Sequence, residues 1–162
     1  MIVVGAGPAG ATAARHCALN NLRTLLLEKE KIPRYKQRAG GLTRASVKEL
    51  GFPLPESLLE RTCNGMRYSY DKFRNQIKSV HTLVYMVKRS SFDSFLVEKA
   101  AKDGEDVHDS QACISLVTEG SGVTVKAEKG EYRANIVVGA GFTAEYCVLF
   151  GEDSMETKFV SV

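Results

Sequence analysis

The first ten residues constrain this chain more than any other stretch. Ile2-Val3-Val4 are β-branched and apolar, and they run directly into Gly5-Ala6-Gly7-Pro8-Ala9-Gly10, a Gly-x-Gly-x-x-Gly turn. Small residues then fill positions 9–14 and open a helix predicted over residues 9–19. Strand, glycine turn and helix in that order are the context in which such a triplet holds a dinucleotide. Gly5 turns the chain sharply out of the strand. Gly7 leaves the backbone bare where a diphosphate approaches, and Gly10 lets the helix lie close on the sheet. The free N–H groups and the dipole of the helix start favour the diphosphate charge.

A second buried strand supplies the other half of the pattern. Residues 23–28 end in Glu28, 18 positions after Gly10, where a spacing of about 20 is usual for the acid that grips the adenosine ribose. A carboxylate there accepts hydrogen bonds from both ribose hydroxyls and repels a 2′-phosphate, so it favours FAD or NAD over NADP. The plain alternative, a buried strand–turn–helix ending in an ordinary surface Glu, explains the strand but not the joint spacing of turn, helix and acid.

Composition narrows the function classes. A chain of 162 residues is long enough for one domain with a real core. A net charge of +3 is too small to argue for a nucleic-acid partner. Cys17, Cys63, Cys113 and Cys147 are widely spaced with no Cys-x-x-Cys pair, which reads as reduced thiols in a cytoplasmic protein and not as a disulfide frame or a metal site. No apolar run reaches the ~18 residues of a membrane span, and no basic segment precedes the first strand as in a signal peptide.

Farther along, residues 29–42 carry five basic residues, a proline and the pair Gly40-Gly41. They read either as a solvated basic turn or as an ordered loop holding a phosphate-bearing ligand. Thr43 is placed to cap a short helix that closes at Gly51. Residues 65–88 alternate like strands, with Met66, Tyr68 and Tyr70 on one face and Leu83, Tyr85 and Val87 on another. This is an antiparallel insertion in place of a second crossover helix. A helix capped by Ser90 or Ser91 follows, with Phe92, Phe95 and Leu96 inward. The acids of residues 103–106 read as a solvated turn. Three strand-like runs, 111–117, 122–127 and 132–138, close the chain. The last places Ile136-Val137-Val138 beside the first strand and ends in Gly139-Ala140-Gly141.

Four stretches together, VVGAGPAGATAAR, LLLEKEKIPRYKQRAGGLT, KRSSFDSFLVEKA and EYRANIVVGAG, resemble the FAD-binding half of the geranylgeranyl reductase family. That family shares the glutathione-reductase and p-hydroxybenzoate-hydroxylase type of flavin fold. The resemblance implies an α/β fold: a Rossmann-like FAD-binding domain with a central parallel sheet and an antiparallel β insertion. It implies FAD as cofactor. Gly5, Gly7, Ala9 and Gly10 would lie on the diphosphate and Glu28 on the ribose. Ala39, Gly40 and Gly41 would lie along the flavin side, Arg89 toward the ribityl–diphosphate region, and Ala112 at the adenine through its backbone. Two stretches depart from the family pattern. Gln37-Arg38-Ala39 lacks the usual cysteine before the glycines, and Gly141-Phe142 stands where an acid and a glycine are usual.

The expected function is that of a FAD-dependent reductase that passes hydride to isoprenoid double bonds. The chain is expected to be a single incomplete FAD-binding domain over residues 1–162, a fragment without the substrate domain. A completing polypeptide and peripheral membrane contact both stay open. No catalytic base is named by the sequence. Tyr35 is the residue placed to approach a flavin, while His16, His81 and His108 have no identifiable partner. Two alternatives stand beside this reading: an inactive remnant or binder of the ADP moiety, and, against the missing crossover helix, an NAD-linked dehydrogenase.

Overall fold

The computed structural model describes residues 1–36, 40–120 and 122–141. In chain order the elements are β1 (Ile2–Val4), α1 (Pro8–Leu19), β2 (Leu25–Leu27), β3 (Gly41–Thr43), α2 (Arg44–Glu49), a short 3-10 helix (Glu56–Leu58), β4 (Leu59–Cys63), β5 (Gly65–Tyr70), β6 (Phe73–Lys78), β7 (Val84–Val87), α3 (Arg89–Lys102), β8 (Asp106–His108), β9 (Cys113–Glu119), β10 (Gly122–Ala127), β11 (Gly130–Ala134) and β12 (Val137–Gly139). They form two compact units. One holds Met1–Arg34 and the chain from Asp93 onward; the other is Tyr35–Phe92.

The first unit is built on a parallel sheet in the order β12-β1-β2-β8. Val3 stands between Val138 on one side and Leu26 on the other. Near-continuous apolar strands are what a sheet covered on both faces demands. The helix α1 packs on β1 and β2 and buries Gly10, Ala11 and Ala14. Such small residues let the helix axis approach the sheet. Across the opposite face lies the antiparallel sheet β11-β10-β9. Alternate residues of β10, Val123, Val125 and Ala127, pack with Ile2, Val4, Leu27 and Val137 in one buried cluster. Complete burial of side chains such as Leu26, Leu27, Val3 and Val125 is worth about 1.5–3 kcal/mol each.

In the second unit β7 pairs antiparallel with β3 and β4, and β5 with β6. This is the antiparallel insertion expected from residues 65–88. Thr43 caps α2 as anticipated, its Oγ1 accepting from the Ser46 N–H at 3.1 Å.

Three details differ from the sequence reading. The first helix begins one residue earlier, at Pro8, where the missing N–H of proline costs nothing. The helix α3 begins at Arg89, ahead of the serines expected to cap it. The third closing run is two strands: β11 pairs antiparallel with β10 and β12 pairs parallel with β1. One extended segment cannot serve both sheets, so the chain crosses between them at Asn135-Ile136. Ile136, expected inside, is 50% exposed.

Candidate functional site

The glycine turn leaves β1 at the carboxyl edge of the parallel sheet. There β1 lies between a strand reached through α1 and a strand reached only at the end of the described chain. Open α/β sheets bind ligands at such an edge. Gly5 has φ +102, and a Cβ there would come within 3.1 Å of the Ala140 carbonyl and the Gly141 nitrogen. The Gly139-Ala140-Gly141 end is thus backed against the turn, tied by the Ala140 N–H to the Val4 carbonyl at 2.8 Å. A Cβ on Gly10 would stand 1.7 Å from the Gly5 carbonyl oxygen, so only glycine lets α1 sit this close. Gly7 is the open one. A Cβ there would meet a single atom within 4 Å, Nη2 of Arg34 at 3.7 Å. With Pro8 at the first helical position, the N–H groups of Ala9 and Gly10 precede the point where intrahelical bonding begins. A bare backbone, free N–H groups and a positive helix end are the features that a diphosphate requires.

Glu28 is aimed at this turn. Its Oε2 accepts from the Ala6 N–H at 2.8 Å, and its Oε1 accepts from the Glu30 N–H at 3.1 Å. Its backbone is held on both sides, by the His108 carbonyl and by the Gln111 N–H, each at 2.9 Å. Sequence reasoning missed two partners. The Nε of Arg34 lies 3.2 Å from Glu28 Oε2, and its Nη1 lies 3.3 Å from Asp93 Oδ2. All three side chains are buried. The Nε and Nη1 groups are in ion-pair range without aligned hydrogen bonds. The loop that carries Arg34 is pinned by Asp109, whose Oδ2 accepts from the Ile32 N–H at 2.9 Å. Of the basic loop's described cations, Lys29 and Lys31 are exposed, Lys36 is half-buried and Arg34 is buried.

The other predicted contacts are distributed as follows. Ala112, in the first unit, has its backbone tied to Glu128: its carbonyl accepts at 3.1 Å, and its N–H donates to Oε2 at 3.4 Å. Gly40, Gly41 and Arg89 belong to the second unit. Gly40 lies so close to β7 that a Cβ would stand 1.8 Å from the Val87 carbonyl oxygen. Gly41 opens β3 opposite Met86, and Arg89 is the first residue of α3 and half-buried. Ala39, with Gln37 and Arg38, lies outside the described residues, as does Phe142. Tyr35 is 80% exposed.

Two titratable groups depart from their sequence reading. Glu105, expected in a solvated turn, is buried, with no aligned partner for either carboxylate oxygen. Burial pushes it up to about 7 against the smaller opposing pull of the Ala18 backbone. His108 has partners after all: Nδ1 lies 3.1 Å from the Tyr132 hydroxyl, and Nε2 lies 3.2 Å from Asp106 Oδ1. Burial also raises the thiols of Cys17 and Cys113. Among the described residues no cluster of His, Cys, Asp or Glu has metal-ligand geometry, and no helix is long and apolar enough to cross a membrane.

Comparison with known proteins agrees with this geometry. A digeranylgeranylglycerophospholipid reductase of Thermoplasma volcanium is 31% identical over 158 aligned residues, covering 90% of this chain and 40% of that protein. The crystal structure of a geranylgeranyl bacteriochlorophyll reductase-like protein from Thermoplasma acidophilum superposes with a TM-score of 0.83 at 28% identity, covering 94% of this chain and 42% of that one. An uncharacterized Methanosarcina barkeri protein from a nifH2 5′ region is 34% identical, and 80% of its length is covered. The chain therefore spans about 40% of the reductases it matches. FAD is the cofactor of this kind of domain. The FAD binding domain model matches residues 1–148, and this chain belongs to that family.

Proposed function

We propose that this chain is the FAD-binding part of a reductase of the geranylgeranyl type. The observation that carries the reading is the Glu28 carboxylate, anchored on the Ala6 N–H beside the bare backbone of Gly7. On this reading Gly5, Gly7, Ala9 and Gly10 hold the diphosphate and Glu28 holds the ribose. Ala39, Gly40, Gly41 and Arg89 serve the flavin side, and Ala112 serves the adenine. The flavin supplies the hydride chemistry, and the protein supplies binding and orientation. The isoprenoid chain as substrate rests on the similarity to reductases whose names specify digeranylgeranylglycerophospholipid. A substrate of that kind brings the protein to a lipid surface as a peripheral partner. On the same reading a further polypeptide supplies the substrate site.

Titrating the purified chain with FAD tests the reading. The sequence contains no Trp, so flavin fluorescence can be followed without tryptophan interference. Saturable quenching with a visible flavin spectrum is expected. Reduction of an isoprenoid lipid is then assayed with the chain alone and with a polypeptide covering the remaining part of a reductase. A second reading is a binder of the ADP moiety without catalysis, for which the Glu28 carboxylate and the bare backbone of Gly7 are enough. Binding of ADP without any flavin spectrum would select it.

A further inference from the structure

We propose that Arg34 is a positioning residue of the cofactor site, which shields the diphosphate from two buried carboxylates and presents one guanidinium nitrogen to it. The inference rests on the FAD reading and deepens it. Each nitrogen of the planar guanidinium has its own direction. Nε faces Glu28 at 3.2 Å, Nη1 faces Asp93 at 3.3 Å, and Nη2 borders the open side of Gly7, 3.7 Å from where a Cβ would be. Among the described residues it is the one atom within 4 Å of that position. A rigid fork can hold these three directions at once; a lysine ammonium, a single point charge on a flexible stem, cannot.

The charge balance explains why the position needs a cation. Glu28 and Asp93 are both buried, and both flank the guanidinium whose Nη2 borders Gly7. Without Arg34 the Glu28 carboxylate, held on the Ala6 N–H, would oppose the diphosphate in a poorly screened setting. With Arg34 between them, Glu28 keeps its place on the Ala6 N–H and can still accept from a ribose, while the charge nearest the diphosphate is positive. The imperfect alignment of Nε and Nη1 fits a guanidinium shared between two carboxylates and saturated by neither.

The test compares the native chain with R34K and the double variant R34Q/D93N. Removing Arg34 alone takes a buried cation from beside two buried carboxylates and endangers the fold, whereas the double variant also removes the Asp93 charge. Apo melting temperature is measured together with affinity for FAD, ADP and adenosine, which offers a ribose to Glu28 but no phosphate. The double variant is expected to melt near the native temperature, to lose about tenfold or more in affinity for FAD and ADP, and to lose about threefold or less for adenosine. R34K, which folds with its charge kept, is expected to lose part of the preference for ADP over adenosine. Native-like FAD and ADP affinity in the double variant overturns the role of Arg34, as does an equal loss for all three ligands. A native chain that binds neither FAD nor ADP overturns the cofactor reading itself and this inference with it.

Discussion

At the residue scale, steric demand and charge decide what each position can be. Gly10→Ala would place a methyl carbon 1.7 Å from the Gly5 carbonyl oxygen. Both partners are backbone, so α1 must lift from the sheet. We expect a stability loss at or above the ~1–3 kcal/mol of ordinary overpacking, read as a lower melting temperature, with FAD binding lost. A fully native melt would show that the helix has room to move. Glu28→Gln keeps the side-chain shape but removes the charge that faces Arg34 and that the proposed function assigns to the ribose hydroxyls. It should weaken FAD about tenfold or more, which starts at the lower end of the ~1.5–3 kcal/mol of a charged hydrogen bond, with an unchanged circular dichroism spectrum. Glu105 belongs to a different physics. The folded chain holds its proton more tightly than an unfolded chain does, with the group raised from 4.5 to about 7. Its contribution to stability is therefore complete below the ordinary carboxylate range and lost as pH rises through about 7. Glu105→Gln should flatten the fall in melting temperature between about pH 5 and pH 8 and melt higher than the native chain at the alkaline end. Identical pH profiles would mean that the native carboxylate is solvated. The glycines and Glu28 were readable in the sequence because their constraints are local in spacing. Arg34 and Asp93 were not, since their meeting is tertiary. The one hint was an arginine placed after Ile32-Pro33 in a loop otherwise rich in lysine.

At the element scale, periodicity tells which residues share a face but not whether anything covers it. Met66, Tyr68 and Tyr70 alternate as a strand should, and they form one: β5, paired with β6. Yet both strands are exposed along their whole length. The same pattern in β10 puts Val123, Val125 and Ala127 into a core. The difference lies in a second sheet packed on one and not on the other, which no window of residues contains. The break between β11 and β12 was hidden for a related reason: both halves are strands, and only the change of partner at Asn135-Ile136 separates them. An isolated two-stranded hairpin is at best marginally stable. Amides of residues 65–78 should therefore exchange far faster than those of β1 and β2, whose hydrogen bonds open only with the core. Among the described residues, limited trypsin digestion should cut first at Arg67, Lys72 or Arg74. Strong protection of this hairpin in the purified chain would show that its apolar face is covered in solution.

For the molecule as a whole, the division of labour between its parts sets what it can bind. The first unit carries the turn, Glu28, Arg34 and Ala112, the residues we propose for the ADP half of the cofactor. The residues assigned to the flavin side fall outside that unit or outside the described chain. The reductases it resembles are matched over only about 40% of their length. If the ADP half is gripped by the first unit, most of the binding free energy that this chain can offer is realised with ADP alone. A ligand at one hundred times its dissociation constant stabilises a fold by about 2.7 kcal/mol, which is several degrees for a domain of this size. ADP and FAD at equal saturation should therefore raise the melting temperature by similar amounts, followed by circular dichroism. Isothermal titration should find FAD no more than about tenfold tighter than ADP, a difference of ~1.4 kcal/mol. A preference for FAD of several hundredfold would place strong flavin contacts within these residues and give the second unit a direct share in cofactor binding. Equal affinities would instead show that these residues add no grip on the ring system.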